Sequence, residues 1–267
     1  MEKLIKPGRI VYAIGIISLG VLCILLKDFI FGRPPAAKWA ANIPGKLVWA
    51  YVSGSLVILC GLAIIIQVRA RTAALLVGAL ILVFSFLTRH LYEMTDWVGA
   101  YKALALAGGS FIIAATFSGN DTTHSTRIAV NDRLIFTGCL FFSLFFIICG
   151  LAHFKFATFI IKDFMPSYLP FPAFWTYFCG ICLLAGGVGL LIPQIKKWAA
   201  LLSGIMIAGW FFLLHIVRFA ADTSNAGDRL GLCESFTIAG ILFVLAGLLS
   251  NHKVTIDGNR HSVSDNS

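Results

Sequence analysis

The chain has 267 residues, of which 59% are hydrophobic and 12% charged, with a mean hydropathy of +0.90 and a formal net charge of +9. A soluble domain carries about 25% charged residues, so this composition excludes a soluble globular protein, a disordered chain and a disulfide scaffold. The basic residues flank apolar stretches, as at Lys196 and Lys197, and therefore indicate membrane anchoring and contact with a lipid bilayer, not binding to nucleic acid.

Eight continuous apolar segments are long enough to cross a bilayer as helices. In chain order they cover approximately residues 9–28, 46–67, 72–92, 98–117, 134–154, 172–193, 198–218 and 231–250. A polar stretch at residues 118–132 separates the fourth segment from the fifth, and the polar residues 251–267 predict a disordered tail. The predicted fold is an all-α membrane protein with eight transmembrane helices.

The two halves of the chain resemble each other when the sequence is shifted by 126 positions. Residues 44–87 and 170–213 then share 14 identities in 44 positions, among them Trp49 with Trp175. Shared apolar composition alone gives roughly three or four such identities. After a slip of six residues, Lys102 is matched with Glu234. The sequence therefore predicts a tandem repeat of a four-helix unit.

The repeat predicts the domain organisation and the symmetry. The first unit covers residues 1–117, a cytoplasmic linker covers 118–132, the second unit covers 133–250, and the tail follows. Because each unit has an even number of spans, the two units run parallel across the membrane. The short connections 67–72 and 194–198 carry basic but no acidic residues, which places them and both termini in the cytoplasm.

Residues 155–171 connect the fifth and sixth spans on the predicted outer side. This connection is too apolar for a free loop and too often interrupted for a transmembrane helix. We expect it to lie in the membrane interface or to fold back into the bundle.

Ionisable side chains gather at the predicted outer ends of the spans and form a candidate polar pocket. Ionisable groups at membrane depth are costly and mark functional sites, whereas snorkelling and structural ion pairs are the simpler explanation near the interface. We expect Glu234 to be buried and to pair with His215 or Arg218, and Lys102 to pair with Glu93. The candidate pocket residues are Arg89, His90, Lys102, His153, His215, Arg218 and Glu234.

Cys179 and Cys182 form a C-x-x-C pair within the sixth span. A membrane dithiol of this kind can exchange electrons with a quinone, so the pair is a candidate redox site. Packing is the simpler explanation, because cysteine is common in apolar helices as a small hydrophobic residue. No spacing of His and Cys indicates a metal site, and no motif assigns a catalytic residue.

The second half resembles the DoxX-like family of small bacterial membrane proteins. The residues that carry the resemblance are Arg133, Gly150 to Phe154, Pro170, Trp175, Tyr177, Gly180, Gly187, Lys197, Ala199 and Ala200. The first half carries a weaker version at Arg9, Pro44, Trp49, Tyr51, Gly54, Gly61, Arg71, Ala73, Ala74, Lys102, Gly108 and Gly109. Family members resemble a single four-helix unit, so this chain differs from the family pattern in having two such units. An acidic residue that many members carry in the second span is absent from both halves.

The resemblance implies a multi-pass protein of the bacterial inner (plasma) membrane. It also implies an accessory or scaffold subunit of a membrane redox complex, with a membrane or peripheral redox protein as partner and a quinone as the suggested cofactor. Two alternatives stay open from the residues: a small-solute transporter, and a thiol oxidoreductase that uses Cys179 and Cys182. The sequence leaves open whether the chain is an enzyme.

Overall fold

The computed structural model describes residues 1–31, 44–85, 97–117 and 124–264, and for residues 124–130 and 251–264 it describes the backbone only. All regular structure in these residues is helical. Seven of the described helices are long and apolar enough to cross a membrane. The fold is therefore that of an all-α protein with the dimensions of a helical membrane protein.

Ten α-helices follow one another in the described residues. They are α1 (Ile5–Leu25), α2 (Lys46–Ile65), α3 (Ala70–Ser85), α4 (Trp97–Ala115), α5 (His124–Lys155), α6 (Ala157–Phe159), α7 (Pro172–Leu191), α8 (Lys196–Trp210), α9 (Ile216–Ala221) and α10 (Ala226–Ser264). A 3-10 turn, Glu2–Leu4, precedes α1. Two π-helical turns occur, Ile160–Phe164 after α6 and Phe211–His215 between α8 and α9.

The helix ends differ from the predicted segments in two places. Helix α3 is described over Ala70–Ser85, and the rest of the predicted third span, residues 86–92, lies outside the described residues. Helix α5 begins at His124 inside the predicted linker, and α10 continues to Ser264 into the predicted disordered tail. Helices extend beyond their apolar windows because backbone hydrogen bonding, and not hydropathy, determines where they end.

The long helices pack in a closed cycle. Each contacts its neighbours along the chain, and α10 returns to pack against α1, while α4 and α10 also contact each other. The apolar windows of α4 and α10 are 67% and 72% buried, whereas the window that covers α8 and α9 is only 22% buried. Helices α4 and α10 are therefore central, and α8 presents most of its surface to the surroundings of the bundle.

Similar close helix contacts through glycine occur in both halves of the chain. A Cβ added at Gly20 of α1 would lie 2.9 Å from the carbonyl oxygen of Gly54 in α2. A Cβ added at Gly150 of α5 would lie 2.9 Å from the carbonyl oxygen of Gly180 in α7. Small residues let helix backbones approach within a membrane, so the α1–α2 and α5–α7 pairs pack in the same way.

The contacts between the two halves are similar as well. A Cβ added at Gly8 of α1 would lie 2.9 Å from the Gly240 carbonyl oxygen in α10. A Cβ added at Gly138 of α5 would lie 2.8 Å from the Gly108 carbonyl oxygen in α4. The first long helix of each half thus packs against the last helix of the other half.

Polar contacts also join the helices in parts of the bundle that lie outside the candidate pocket. The Tyr12 hydroxyl donates a hydrogen bond of 2.7 Å to the Ser110 hydroxyl, and both side chains are fully buried. At the opposite end of α4 from the pocket, Arg71 Nη1 donates to the carbonyl oxygens of Ala114 and Phe117 and to Asn131 Oδ1. This guanidinium satisfies carbonyl groups at the C-terminus of α4 and links α3, α4 and α5.

Candidate functional site

A cavity of about 290 Å³ lies at the end of the bundle where α4, α7 and α10 begin and where α5 and α9 end. Most of its wall is apolar, with side chains such as Phe145, Leu183, Met206, Trp210 and Ile238. Cavities with an apolar wall and a few polar groups are typical of sites for small molecules. The polar residues on the wall are Lys102, His153, His215, Asp228, Glu234 and Ser235.

An ion pair between the two halves forms one side of this cavity. Lys102 Nζ of α4 lies 2.5 Å from Glu234 Oε2 of α10, and the two side chains are 16% and 4% exposed. The expected pairing of Glu234 with His215 or Arg218 is therefore wrong. The reason is that α4 packs directly against α10, which brings these two matched residues together.

A second ion pair lies at the mouth of the cavity. Arg218 Nε donates to Asp228 Oδ1 at 2.7 Å. Asp228 is only 7% exposed. Asn225 explains its position: its side-chain oxygen accepts hydrogen bonds from the backbone N–H groups of Gly227 and Asp228 and caps α10. The cap places Asp228 in the first helical turn, facing Arg218.

Two imidazoles complete the polar part of the wall. His153 Nδ1 lies 2.8 Å from the Cys149 carbonyl oxygen. Because a carbonyl oxygen only accepts, Nδ1 carries a proton, and in the neutral imidazole Nε2 is then the acceptor. His215 packs against the backbone of Gly231, where an added Cβ would lie 2.8 Å from Nδ1. No hydrogen bond joins His215 to another residue of the described part of the chain.

The connection between α5 and α7 closes the end of the cavity. We call residues 157–169 the cap segment; its side chains Ile160, Phe164 and Met165 line the cavity. Arg218 Nη1 donates to the Phe164 carbonyl oxygen at 2.9 Å, and its guanidinium carbon lies 4.6 Å from the centre of the Phe164 ring. The Tyr168 hydroxyl donates to the Leu213 carbonyl oxygen. The segment thus folds over the bundle, as expected from its composition.

Both π-helical turns border the cavity. The turn Phe211–His215 contributes Leu214 and His215 to the wall of the cavity. The turn Ile160–Phe164 contributes the aromatic ring of Phe164. A π-turn accommodates an extra residue and is frequent at functional sites. It rotates the residues that follow, so it influences which side of the helix carries His215 and Arg218. Nothing in the sequence pattern predicted either turn.

The two cysteines of the C-x-x-C pair line different cavities. Cys179 lies on the wall of the site, and its Sγ accepts a hydrogen bond of 3.0 Å from Trp210 Nε1. Cys182 lies on a separate groove between α7 and α8. Both thiols are free. The redox role of this pair stays a prediction.

The remaining predicted site residues divide into two groups. Arg89 and His90 lie outside the described residues. Arg218 joins the site through Asp228 and the cap segment. Sequence reasoning missed Asp228 and Trp210 as site residues. Asn225 followed three residues later by Asp228 is a sequence signal for a helix start, and it predicts that Asp228 lies in the first turn of that helix. In the described part of the chain, no three His, Cys, Asp or Glu residues are placed to hold a metal ion.

Comparison with known proteins gives a partial similarity. Residues 142–231 are similar to a family model described as "Domain of unknown function (DUF8561)". These residues include His153, His215 and Arg218, and they end before Glu234. No curated protein and no solved structure matches the chain.

Proposed function

We propose that the chain is a multi-pass membrane protein that binds a lipophilic molecule with a hydrogen-bonding head, of the quinone class, in the cavity between α4 and the helices of the second half. The observation that supports this most strongly is a largely apolar cavity, among helices long enough to span a membrane, that contains an ion pair and two imidazoles. The ring of a quinone suits the apolar wall, and its carbonyl oxygens suit donors such as the Lys102 ammonium group.

We further propose eight spans, arranged as two parallel four-helix repeats of the DoxX-like type. The similar close contacts Gly20–Gly54 and Gly150–Gly180 support the repeat. Aromatic pairs add to this: Trp49 and Phe84 lie 5.8 Å apart, and Trp175 and Trp210, at the matched positions, lie 6.0 Å apart. In this arrangement both termini are in the cytoplasm of a bacterium, and the cavity is at the outer side of the plasma membrane.

An accessory role follows from the site's chemistry. The cavity contains groups that bind, orient and protonate, and no nucleophile elbow or phosphate loop accompanies it in the sequence. We propose that a membrane or peripheral redox protein performs the electron transfer and that this chain holds the lipophilic molecule beside it. This partner is the one that the DoxX-like resemblance implies.

Purification in mild detergent, followed by organic extraction and mass spectrometry, tests the proposal. A quinone should co-purify, and a tail-less dimethoxy-methyl-benzoquinone should bind the emptied protein in calorimetric titration. Val98→Trp places an indole on the cavity wall, and we expect it to weaken this binding by about tenfold or more, because it fills space that the ring needs.

Ile181→Trp provides the matched control. Ile181 is 58% exposed on α7, so an indole at this position leaves the cavity unchanged and binding should match that of the wild type. Equal weakening by both variants would point to a general loss of folding. Absence of binding to the wild type would refute the quinone class.

A further inference from the structure

A second cavity opens beside the first. A groove of about 670 Å³, which we call the α7–α8 cleft, runs between α7 and α8. Its described wall contains no charged side chain and includes Phe178, Ala185, Leu202, Ile205 and Gly209. Leu202 and Ile205 are 62% and 53% exposed, so the cleft opens toward the lipid that surrounds the spans.

The cleft is wide because small residues line it. A Cβ added at Gly209 would have no other atom within 4 Å. Gly186 and Ser203 lie across from each other, on α7 and α8: a Cβ added at Gly186 would lie 2.5 Å from Ser203 Oγ. The two helices therefore approach closely at that level, whereas the space around Gly209 stays open.

Two side chains separate the cleft from the cavity of the site. Met206 and Trp210 line both spaces. The Trp210 indole is held by a single N–H···S hydrogen bond to Cys179 and by an edge-to-face contact with Trp175, whose ring centre lies 6.0 Å away. A thioether chain and an indole can change rotamer without moving the backbone. The separation is thus made of side chains.

We infer that the ligand of the site carries an isoprenoid or alkyl tail, and that this tail lies in the α7–α8 cleft while the head occupies the cavity. This inference rests on the proposed function. The cap segment covers the cavity at the end of the bundle through Phe164 and Met165, and in the described part of the chain the α7–α8 cleft offers a route from the cavity into lipid. A rotation of Trp210 joins the two spaces and makes this residue a gate for a molecule that enters from the bilayer.

The tail is a better occupant than a transmembrane helix of another subunit. Two movable side chains separate the cleft, whose described wall carries no charged residue, from a cavity that contains an ion pair and two imidazoles. A molecule with one polar and one apolar end matches that change of character along its length. Van der Waals packing, and not transfer from water, stabilises the tail, because lipid chains solvate it equally well outside the protein.

Two probes with the same benzoquinone ring, one without a tail and one with a decyl tail, test the inference in lipid nanodiscs. Dissociation constants are compared as mole fractions in the membrane phase, which removes the effect of partitioning. We expect the tailed probe to bind the wild type about fivefold more tightly or better. Gly209→Trp, which fills the cleft, should abolish this advantage and leave the affinity of the tail-less probe unchanged.

Gly209→Leu introduces a smaller side chain and should reduce the affinity advantage of the tailed probe only in part. Val188→Trp should preserve this advantage, because Val188 is a 51% exposed residue of α7 outside both spaces. Equal affinities of the two probes for the wild type would overturn the inference and leave the quinone site standing. Failure of both probes to bind would overturn the proposed function itself. A change in oligomeric mass with Gly209→Trp, with the tail effect intact, would assign the cleft to a partner helix instead.

Discussion

Lys102 and Glu234 occupy matched positions in the two halves of the sequence and form an ion pair with each other, at 2.5 Å between Nζ and Oε2. The two halves therefore meet at the candidate site through residues of opposite charge. An exact duplication would place two like charges here, and like charges in a low-dielectric environment repel strongly. The opposite charges of Lys102 and Glu234 thus make the contact between α4 and α10 favourable.

Glu234→Gln should lower the thermal stability of the detergent-solubilised protein clearly. The substitution leaves the Lys102 ammonium group without its carboxylate in a site where the pair is largely buried. Removing one partner of a buried pair costs about 3–5 kcal/mol, whereas replacing both partners with apolar residues is often neutral. We therefore expect the double variant Lys102→Met, Glu234→Met to be more stable than Glu234→Gln, as measured by the midpoint of thermal unfolding.

Asp222→Asn is a suitable control for this comparison. Asp222 is exposed, and hydrogen bonds from Ser224 to its carboxylate lower the pKa of that group. Because the carboxylate is solvated, its removal should shift the unfolding midpoint little. If Asp222→Asn and Glu234→Gln shift the midpoint equally, the Lys102–Glu234 pair does not stabilise the bundle.

Arg218→Ala should release the cap segment. The guanidinium donates to the carbonyl oxygens of Asp163 and Phe164 and to Asp228. Hydrogen–deuterium exchange of residues 160–165 should increase in Arg218→Ala. Asp228→Asn keeps the bonds to the two carbonyl groups and should increase exchange less. Equal protection in the wild type and Arg218→Ala would show that other contacts hold the segment.

Gly20→Leu and Gly150→Leu should destabilise the protein to a similar degree. Each side chain would clash with a facing carbonyl oxygen at a similar helix contact, and overpacking of this kind typically costs about 1–3 kcal/mol. Gly209→Leu introduces the same side chain where a Cβ meets no neighbour, so its unfolding midpoint should stay close to that of the wild type. A tolerated Gly150→Leu with a disruptive Gly20→Leu would contradict equivalent packing in the two halves.

Reporter fusions after Asn120 and after Asn251 test the proposed topology. With four spans before the first point and eight before the second, both reporters should be cytoplasmic. Activity on opposite sides would mean that the number of spans between the two points is odd, and the parallel repeat would have to be abandoned.

The sequence predicted the parts of the fold that depend on hydropathy along the chain. Apolar runs correctly located the long helices α1, α2, α4, α5, α7, α8 and α10. Helix boundaries were less well predicted, because α5 and α10 extend into polar residues that contribute nothing to hydropathy. Composition also indicated that the segment between α5 and α7 is neither a loop nor a span.

The candidate site was predicted only as a group of residues at a common depth. Lys102, His153, His215 and Glu234 do line one cavity. Their pairing depends on which helices are neighbours in space, and a hydropathy pattern contains no information on the contact between α4 and α10. The π-turn at Phe211–His215 depends on local backbone geometry, which sequence spacing does not encode. The position of Trp210 between the two cavities depends on how α7 and α8 pack, so no spacing rule revealed it.

The return of α10 to α1 has a consequence for the order of assembly. The face of α1 that carries Gly8 packs against Gly240, which lies far downstream in the sequence and is therefore added to the chain much later. Helix α1 therefore forms long before α10 exists, and its small-residue face lacks this partner until α10 has been synthesised.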